Sequence, residues 1–574
     1  MREPKAILRI VYSLLTIRER LLLAGSLFLV LIGSLFELAG LALVIPVVRA
    51  IVEGDFRADY ELPRWVDEME YDSFVQILLL GLVSVFIIKN LFILFSSLYQ
   101  NRVSLAINNR IMQRMFETYL RQPYEFHLLN SPAKLVRDIQ EYAAGVSSNG
   151  IGPVLMLSAE CLTALGFISV LMFVNPLSTS ILVSTFGVIS FILLRGFRSR
   201  SFAWGKQRNK QRRRTLESLL SGFGGIKEIK LFGRDGEIVG EHEQSVRETT
   251  RISLLFSFLQ GIPRAIFETV TVSGVALIVL LTQATNSGSE STSVIIALFG
   301  VAAFRLLPSV NKVVHSFQLL NYGRASIIGA AEALSLHVES YPSEQVIPIE
   351  KFQKLEIRNV RYRYPNTESV ALSVSHLEIV AGESIGVMGT SGGGKSTLMD
   401  LMIGLLTPSE GQISVNGFDI SLVKRSWQNK IGYVPQTVYL MDTSIRRNVA
   451  FGLPDDVISE SEVIRALKAA SLLEFVTQLP DGLDTLVGER GVRLSGGQRQ
   501  RLGIARALYG SPEVLVFDEA TSALDDVTES NIAESLKDLS VDRTLVIIAH
   551  RLSTLRYCSR IIRIESGQLN FTQV

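Results

Sequence analysis

Between Gly389 and His550 the chain carries, in one fixed order, side chains suited to handling a nucleoside triphosphate. Gly389, Thr390, Ser391, Gly392, Gly393, Gly394, Lys395, Ser396 and Thr397 fit the phosphate-loop pattern G-x-x-x-x-G-K-[ST]. Glycines there let backbone N–H groups turn onto phosphate oxygens at a helix N-terminus. Lys395 then reaches the β- and γ-phosphates, and Ser396 offers its hydroxyl to Mg²⁺. Farther on comes Leu494-Ser495-Gly496-Gly497-Gln498, a run that ordinary phosphate-loop enzymes lack. The hydrophobic run Val514–Phe517 ends in the carboxylates of Asp518 and Glu519. Asp518 is suited to hold Mg²⁺ through water, and Glu519 to polarise an attacking water. Ser522-Ala-Leu-Asp525 follows, with Asp525 assigned to the nucleotide site. The apolar run Val546–Ala549 then delivers His550 to a position within reach of the γ-phosphate.

Such a loop must follow a strand and open a helix, and the run Ser384-Ile-Gly-Val-Met388 supplies the strand. From about residue 350 onward short strands, helices and polar loops alternate, as in an α/β domain. The preceding sequence is of another kind. Of the 574 residues 48% are hydrophobic and mean hydropathy is +0.31, high for a soluble protein, and the excess is concentrated before residue 315. Six apolar stretches there are long enough to cross a bilayer: Leu21–Ile51, Phe74 to beyond Leu98, Ile151–Val174, Leu177–Leu194, Ile252–Leu281 and Val294–Val314. Two charged, amphipathic stretches of about fifty residues separate spans two and three and spans four and five. They have few Gly or Pro breaks, so they are expected to be helices continuing out of the membrane.

Charge sets the orientation. Arg195–Arg214 holds nine Lys or Arg and no acidic residue beside a span end, the mark of a cytoplasmic loop. Gly54–Asp72 holds seven acidic residues against Arg57 and Arg64 and is expected outside. Both ends of the chain then lie in the cytoplasm, where ATP is available. At the start, Arg2, Lys5, Arg9, Arg18 and Arg20 flank Ile7, Leu8, Ile10, Val11, Leu14 and Leu15, a spacing that predicts an amphipathic surface helix and not a cleaved signal. Cys161 and Cys558 are the only cysteines, so no disulfide framework is implied. A net charge of +2 gives no reason to expect a nucleic-acid partner.

On these motifs the chain resembles an ATP-binding cassette (ABC) exporter half-transporter, over nearly its whole length. The resemblance implies a membrane α-helical domain of six long, domain-swapped transmembrane helices followed by an α/β phosphate-loop nucleotide-binding domain, ATP and Mg²⁺ as cofactors, and ATP hydrolysis coupled to transport. It implies that Leu494–Gln498 is the signature motif that closes over ATP held by the other subunit, so that the partner is a second copy of the chain. Tyr364, in Tyr362-Arg-Tyr-Pro365, resembles the aromatic that stacks on adenine. Gln436, in Tyr433-Val-Pro-Gln436, resembles the glutamine that senses Mg²⁺ and the attacking water; Gly488-Glu-Arg-Gly491 resembles the loop that touches the membrane domain. Gln122–Phe126 and Lys227–Arg234 resemble the two coupling segments. The expected boundaries are an N-terminal elbow helix at 1–19, the membrane domain at 20–335, a linker at 336–352 and the nucleotide domain at 353–574.

Cations inside the spans bear on the substrate. Lys89, Arg264, Arg305 and Lys312 fall within spans two, five and six, where an ionisable group is costly enough to suggest function. They either line a cavity for an anionic head group or pair internally, since Glu37, Glu160 and Glu268 are also intramembrane and Arg264 with Glu268 is an i,i+4 pair. Gly261-Ile-Pro-Arg264 and Phe304-Arg305-Leu-Leu-Pro308-Ser-Val-Asn311-Lys312, with Lys89, are similar to segments of the PglK-type lipid-linked oligosaccharide flippases, in which such residues are thought to hold a lipid pyrophosphate. The loop Phe56–Tyr71 falls where those flippases carry a short external helix. Lys89 and Lys312 stand where that group has Arg, which weakens bidentate phosphate contact there. The reading is a flippase for a lipid-linked (polyprenyl-diphosphate) oligosaccharide in the cytoplasmic membrane. A lipid A or multidrug exporter of the same fold, and a non-transport regulatory membrane ATPase, are the alternatives; intact Glu519 and His550 count against the last.

Overall fold

A computed structural model of the chain describes residues 4–52, 70–174, 176–284, 290–338, 347–519, 543–549 and 554–572. These divide into two units, the first built from residues up to 122 and from 130 to 338, the second from 123–129 and from 339 onward.

The first unit is helical. Helix α1 (Pro4–Ser13) buries Ile7 and Val11, and Leu14 and Leu15 just beyond it, as its amphipathic spacing requires. Thr16 and Glu19 then form a reciprocal cap that starts α2 (Ile17–Val52): the Glu19 carboxylate accepts from Thr16 N at 2.8 Å and the Thr16 hydroxyl accepts from Glu19 N at 3.3 Å. The same carboxylate accepts from Arg110 Nε at 2.5 Å, and Arg110 also donates to the Leu14 carbonyl at 2.7 Å, tying this corner to α3 (Tyr71–Leu120). The short α4 (Tyr124–Leu129) follows, then α5 (Pro132–Val146), a π turn at Ser147–Ile151, α6 (Gly152–Val174) and α7 (Pro176–Gly224). A second short helix, α8 (Ile226–Phe232), precedes α9 (Asp235–Ala284) and α10 (Glu290–Leu334).

Helix α3 has 50 residues, roughly 75 Å at the helical rise, more than twice the hydrocarbon thickness. The helices read as leaving the membrane do continue well past a span's length, α3 to Leu120 and α7 to Gly224, before the short helices α4 and α8 interrupt the stretches. Among the described residues Ile17–Gly40, Tyr71–Leu120, Pro132–Val170 and Thr179–Gly224 are long and apolar enough to cross a bilayer. The fifth and sixth expected spans fall on α9 and α10, with part of their side chains outside the described residues. The loop Phe56–Tyr71 lies outside the described residues up to position 69.

Leu80, Leu91, Leu94 and Leu98 of α3 point outward, as a lipid-facing surface would. Inside, Phe167, Phe186, Leu193, Phe267, Leu306 and Val314 form a core shared by α6, α7, α9 and α10. Small residues let helices approach: a Cβ on Gly205 of α7 would lie 2.0 Å from the Tyr322 carbonyl oxygen of α10. Pro263 and Pro308 sit inside α9 and α10, which continue through them.

The second unit is α/β. Its strands are β1 (Lys354–Tyr362), β2 (Leu372–Val380), β3 (Ser384–Gly389), β4 (Glu410–Val415), β5 (Phe418–Asp419), β6 (Ile431–Val434), β7 (Val514–Asp518), β8 (Thr544–Ile548), β9 (Arg560–Glu565) and β10 (Gln568–Thr572), ordered β5-β4-β1-β2-β10-β9-β3-β8-β7-β6. β9, β3, β8, β7 and β6 run parallel, while β1 pairs antiparallel with β2 and β4. The central strands read as unbroken apolar runs because both faces are covered: every residue of β8 is buried. The helices are α11 (Lys395–Met402), α12 (Ile420–Gln428), α13 (Ile445–Val449), α14 (Glu460–Ala469), α15 (Leu473–Thr477) and α16 (Gly496–Leu508). The ends of β3, β6 and β7 meet where a doubly wound sheet places its ligands.

Candidate functional site

Strand β3 runs directly into the phosphate loop, and the loop's glycines are there for steric reasons. Gly392 and Gly394 take φ of +75° and +106°, and a Cβ on Gly389 would lie 2.0 Å from the Ile564 carbonyl. Lys395 is buried at the start of α11, and its ammonium donates to the Gly389 and Thr390 carbonyls at 3.0 and 3.1 Å. That folds the charge into the loop's concavity, where backbone N–H groups and a helix N-terminus favour phosphate. Ser396 is exposed on the same turn.

Across the sheet, β7 delivers Asp518 and Glu519. Glu519 adopts φ +49°, its N–H donating to the Ile548 carbonyl at 3.0 Å, and its carboxylate accepts from the Gln436 side-chain amide at 2.6 Å. A left-handed glutamate at a strand end is a strained conformation of the kind that functional sites keep. Burial first, then the neighbouring Glu519, push the Asp518 carboxyl above its usual range; the Tyr433 phenol, hydrogen-bonded to it, and Lys395 pull it back. Asp400, on α11, is pushed up to about 6 by burial and by Asp518.

These carboxylates, the Ser396 hydroxyl and the Gln436 amide oxygen are hard oxygen donors, and a divalent cation would offset the burial, and the repulsion from neighbouring carboxylates, that lift Asp400 and Asp518. The residues therefore fit Mg²⁺. Among the described residues no three His, Cys, Asp or Glu side chains cage a metal.

Beside the phosphate loop, the Tyr364 phenol and the Thr397 hydroxyl lie 3.0 Å apart, and the Tyr364 ring meets the Tyr362 ring edge-on at 5.1 Å. Leu494–Gln498 forms the entry to α16. The Ser495 hydroxyl accepts from Gln498 N and the Gln498 side chain accepts from Ser495 N at 2.8 Å. Leu494 is buried beneath the cap, while Ser495 and Gly496 remain exposed. Asp525 and His550 lie outside the described residues.

The two segments likened to coupling elements are short helices, α4 and α8, the latter stopped by Gly233 at φ +63°. Residues 123–129, α4 among them, pack with the second unit. The Tyr362 phenol donates to Glu125 there at 3.0 Å.

The described cations of the membrane unit each meet a different partner. Arg264 donates to Glu268 at 2.7 Å on the exposed side of α9; Lys312 donates at 2.6 Å to Glu160, which is mostly buried on α6. Lys89 is buried on α3 with its ammonium 4.6 Å from the Phe86 ring centre. The Arg305 side chain lies outside the described residues. Sequence reasoning gave no role to Asp400, Tyr433, Tyr362 or Glu125. Tyr362, Tyr433 and Asp400 adjoin the motifs in sequence without any spacing that marks a role, and only the fold brings Glu125 of the first coupling-like segment to Tyr362.

Residues 372–522 match the family described as ABC transporter, and residues 23–305 match the ABC transporter transmembrane region. The chain is 30% identical over 496 residues to an ATP-dependent lipid A-core flippase of Dechloromonas aromatica, covering 85% of this chain and 83% of that protein. It is 28% identical over 552 residues to the protein of the same name from Chromobacterium violaceum, covering 94% and 91%. A bacterial Atm1-family ABC exporter solved with ATP bound has the same fold, with a TM-score of 0.80 over 96% of this chain and 94% of that one at 22% identity. With a membrane-spanning helical unit joined to a phosphate-loop ATPase unit, the chain belongs to the ABC transporters, as an exporter-type half-transporter.

Proposed function

We propose that two copies of this chain form an exporter that hydrolyses ATP to move an amphipathic, anionic lipid from the inner to the outer leaflet of the cytoplasmic membrane, with the nucleotide domains on the cytoplasmic side. Within it, residues 20–335 carry the lipid and 353–574 the nucleotide. The observation that carries the ATPase half is the convergence of Lys395, Asp518, Glu519 and Gln436 at the C-terminal ends of the parallel strands β3, β6 and β7.

In this reading the phosphate loop and Lys395 bind the β- and γ-phosphates, and Tyr364 stacks on adenine. Ser396, Gln436 and Asp518 would hold Mg²⁺, which when bound neutralises charge on the phosphate oxygens. Glu519 accepts a proton from the attacking water, held in line by the Gln436 amide. His550 and Asp525 complete the same subunit's site. Leu494–Gln498 of one copy closes over the nucleotide of the other, for which its exposed helix N-terminus is suited.

For the cargo, Lys89, Arg264, Arg305 and Lys312 favour a phosphorylated head group over a cationic drug. The segments around Arg264 and Arg305 support a polyprenyl-diphosphate oligosaccharide. The lipid A-core flippases among the relatives favour a second reading, a phosphorylated lipid of the lipid A type.

The test is flipping by the reconstituted chain of a fluorescent polyprenyl-diphosphate sugar and, separately, of lipid A. Arg305→Ala and Arg264→Ala are expected to cut flipping about tenfold or more, the loss of one charge-assisted phosphate contact, while leaving basal ATPase within twofold. If flipping of both lipids survives both substitutions, the anionic-cargo reading is wrong.

A further inference from the structure

Helix α4 groups with the second unit, although in sequence it links α3 to α5 of the first. Just before it, the Gln122 side-chain amide donates to the Thr118 carbonyl at the end of α3 and to the His337 carbonyl just after α10, at 3.1 and 3.0 Å. Just after it, α5 begins at a Ser131 cap. Within the second unit, Glu125 of α4 accepts from the phenol of Tyr362 at 3.0 Å; the Tyr362 ring then braces Tyr364 edge-on at 5.1 Å, and the Tyr364 phenol meets Thr397 of the phosphate-loop helix at 3.0 Å. Tyr362 is almost wholly buried, so its ring position is fixed by the last residue pair of β1 and β2 and by this one polar contact. Burial and Glu125 both disfavour the phenolate, which keeps Tyr362 a donor. Tyr124, the neighbour of Glu125, lies close enough to Asp400 and Tyr364 to interact electrostatically with both.

We propose that Glu125 and Tyr362 are positioning residues for Tyr364, so that ATP affinity and the seating of α4 are thermodynamically linked. The proposal rests on Tyr364 being the adenine partner. A charge-assisted hydrogen bond to a buried phenol orients the ring whose edge sets the Tyr364 plane. Losing it frees Tyr364 to leave the stacking geometry. Linkage is reciprocal: whatever α4 contributes to ATP binding, bound ATP returns to the docking of α4.

The experiment uses the full-length chain in lipid nanodiscs, with ATP added in EDTA so that hydrolysis plays no part. ATP binding is read by calorimetry, and backbone hydrogen exchange of residues 123–129 is followed by mass spectrometry. Tyr362→Phe and Glu125→Ala are each expected to weaken ATP about fivefold, the double variant no further, and Glu125→Gln, which keeps an acceptor, to stay within twofold of the parent. ATP slows exchange in 123–129 of the parent and of Glu125→Gln, and does so less in Tyr362→Phe. Unchanged ATP affinity in both Tyr362→Phe and Glu125→Ala, or losses that add in the double variant, overturn the inference. Tyr364→Ala separates the two failures. If it weakens ATP while the other variants do not, only the linkage to α4 is wrong. If it leaves ATP affinity intact, the adenine assignment falls and takes the linkage with it.

Discussion

The nucleotide unit and the membrane unit use charged residues in opposite ways. In the first, Lys395, Asp518 and Glu519 are presented by backbone features that local sequence dictates: a glycine loop, a helix start and a strand end. In the second, Arg264 and Lys312 sit in the middle of long helices and are met by carboxylates, Glu268 one turn away and Glu160 on another helix. A motif needs its whole local constellation to work and so is readable. A lone charge in a long helix takes its meaning from whatever packs opposite.

The comparison breaks most sharply at Glu519. Glu519→Gln removes the base and keeps an acceptor for Gln436, so steady-state ATPase is expected to fall at least 100-fold while an ATP-bound dimer accumulates in cross-linking. Unchanged turnover would mean that the most legible residue of the chain was misassigned.

An intermediate effect is expected in the membrane unit. Lys312→Met strips the partner from Glu160, whose side chain is only 12% exposed, whereas that of Lys312 is half exposed. The cost is therefore set well below that of a fully buried pair, at about 1–2 kcal/mol. Thermal unfolding in detergent is expected to drop by a few degrees, and Glu160→Gln added to Lys312→Met is expected to recover most of it. If the double variant is no more stable than the single one, the ion pair is not what Lys312 contributes.

The smallest effect tests the claim that local sequence builds the nucleotide unit. Ser459 caps α14 by accepting from Glu462 N. Ser459→Ala is expected to cost about 1 kcal/mol, roughly 2–4 °C in that domain's melting temperature, with ATPase unchanged. A large loss of activity would mean that the helical part between β6 and β7 is tied to catalysis more closely than its contacts indicate.

Much of the candidate site's local structure was legible because Gly389–Thr397, Leu494–Gln498 and Asp518–Glu519 each carry their geometry in consecutive residues. The register joining β7 to β8, and hence Asp518 to Ile548, was not, although both strands were visible as apolar runs. Tyr362 and Tyr433 look like ordinary strand residues, and their phenols gain a purpose only when Glu125 and Asp518 are brought to them from distant sequence. The long helices were legible from hydropathy and charge, their starts more so than their ends. Thr16 with Glu19 fixes the start of α2 by local hydrogen bonding, whereas the π turn at Ser147–Ile151 leaves no mark in composition.

By itself, then, the sequence determined that a phosphate loop and a strand ending in two carboxylates follow a set of membrane helices. Those properties depend on side-chain period, glycine placement and neighbouring residues, which chain order alone specifies. Tertiary structure decided which charges pair and which stay available, because a carboxylate 152 residues away costs the same to desolvate wherever it lies in sequence and is repaid only by the helix that packs beside it. It also decided that α4, inserted between two membrane helices, belongs with the ATP site. Within that unit the Tyr362 phenol meets the Glu125 carboxylate, 237 residues away in sequence.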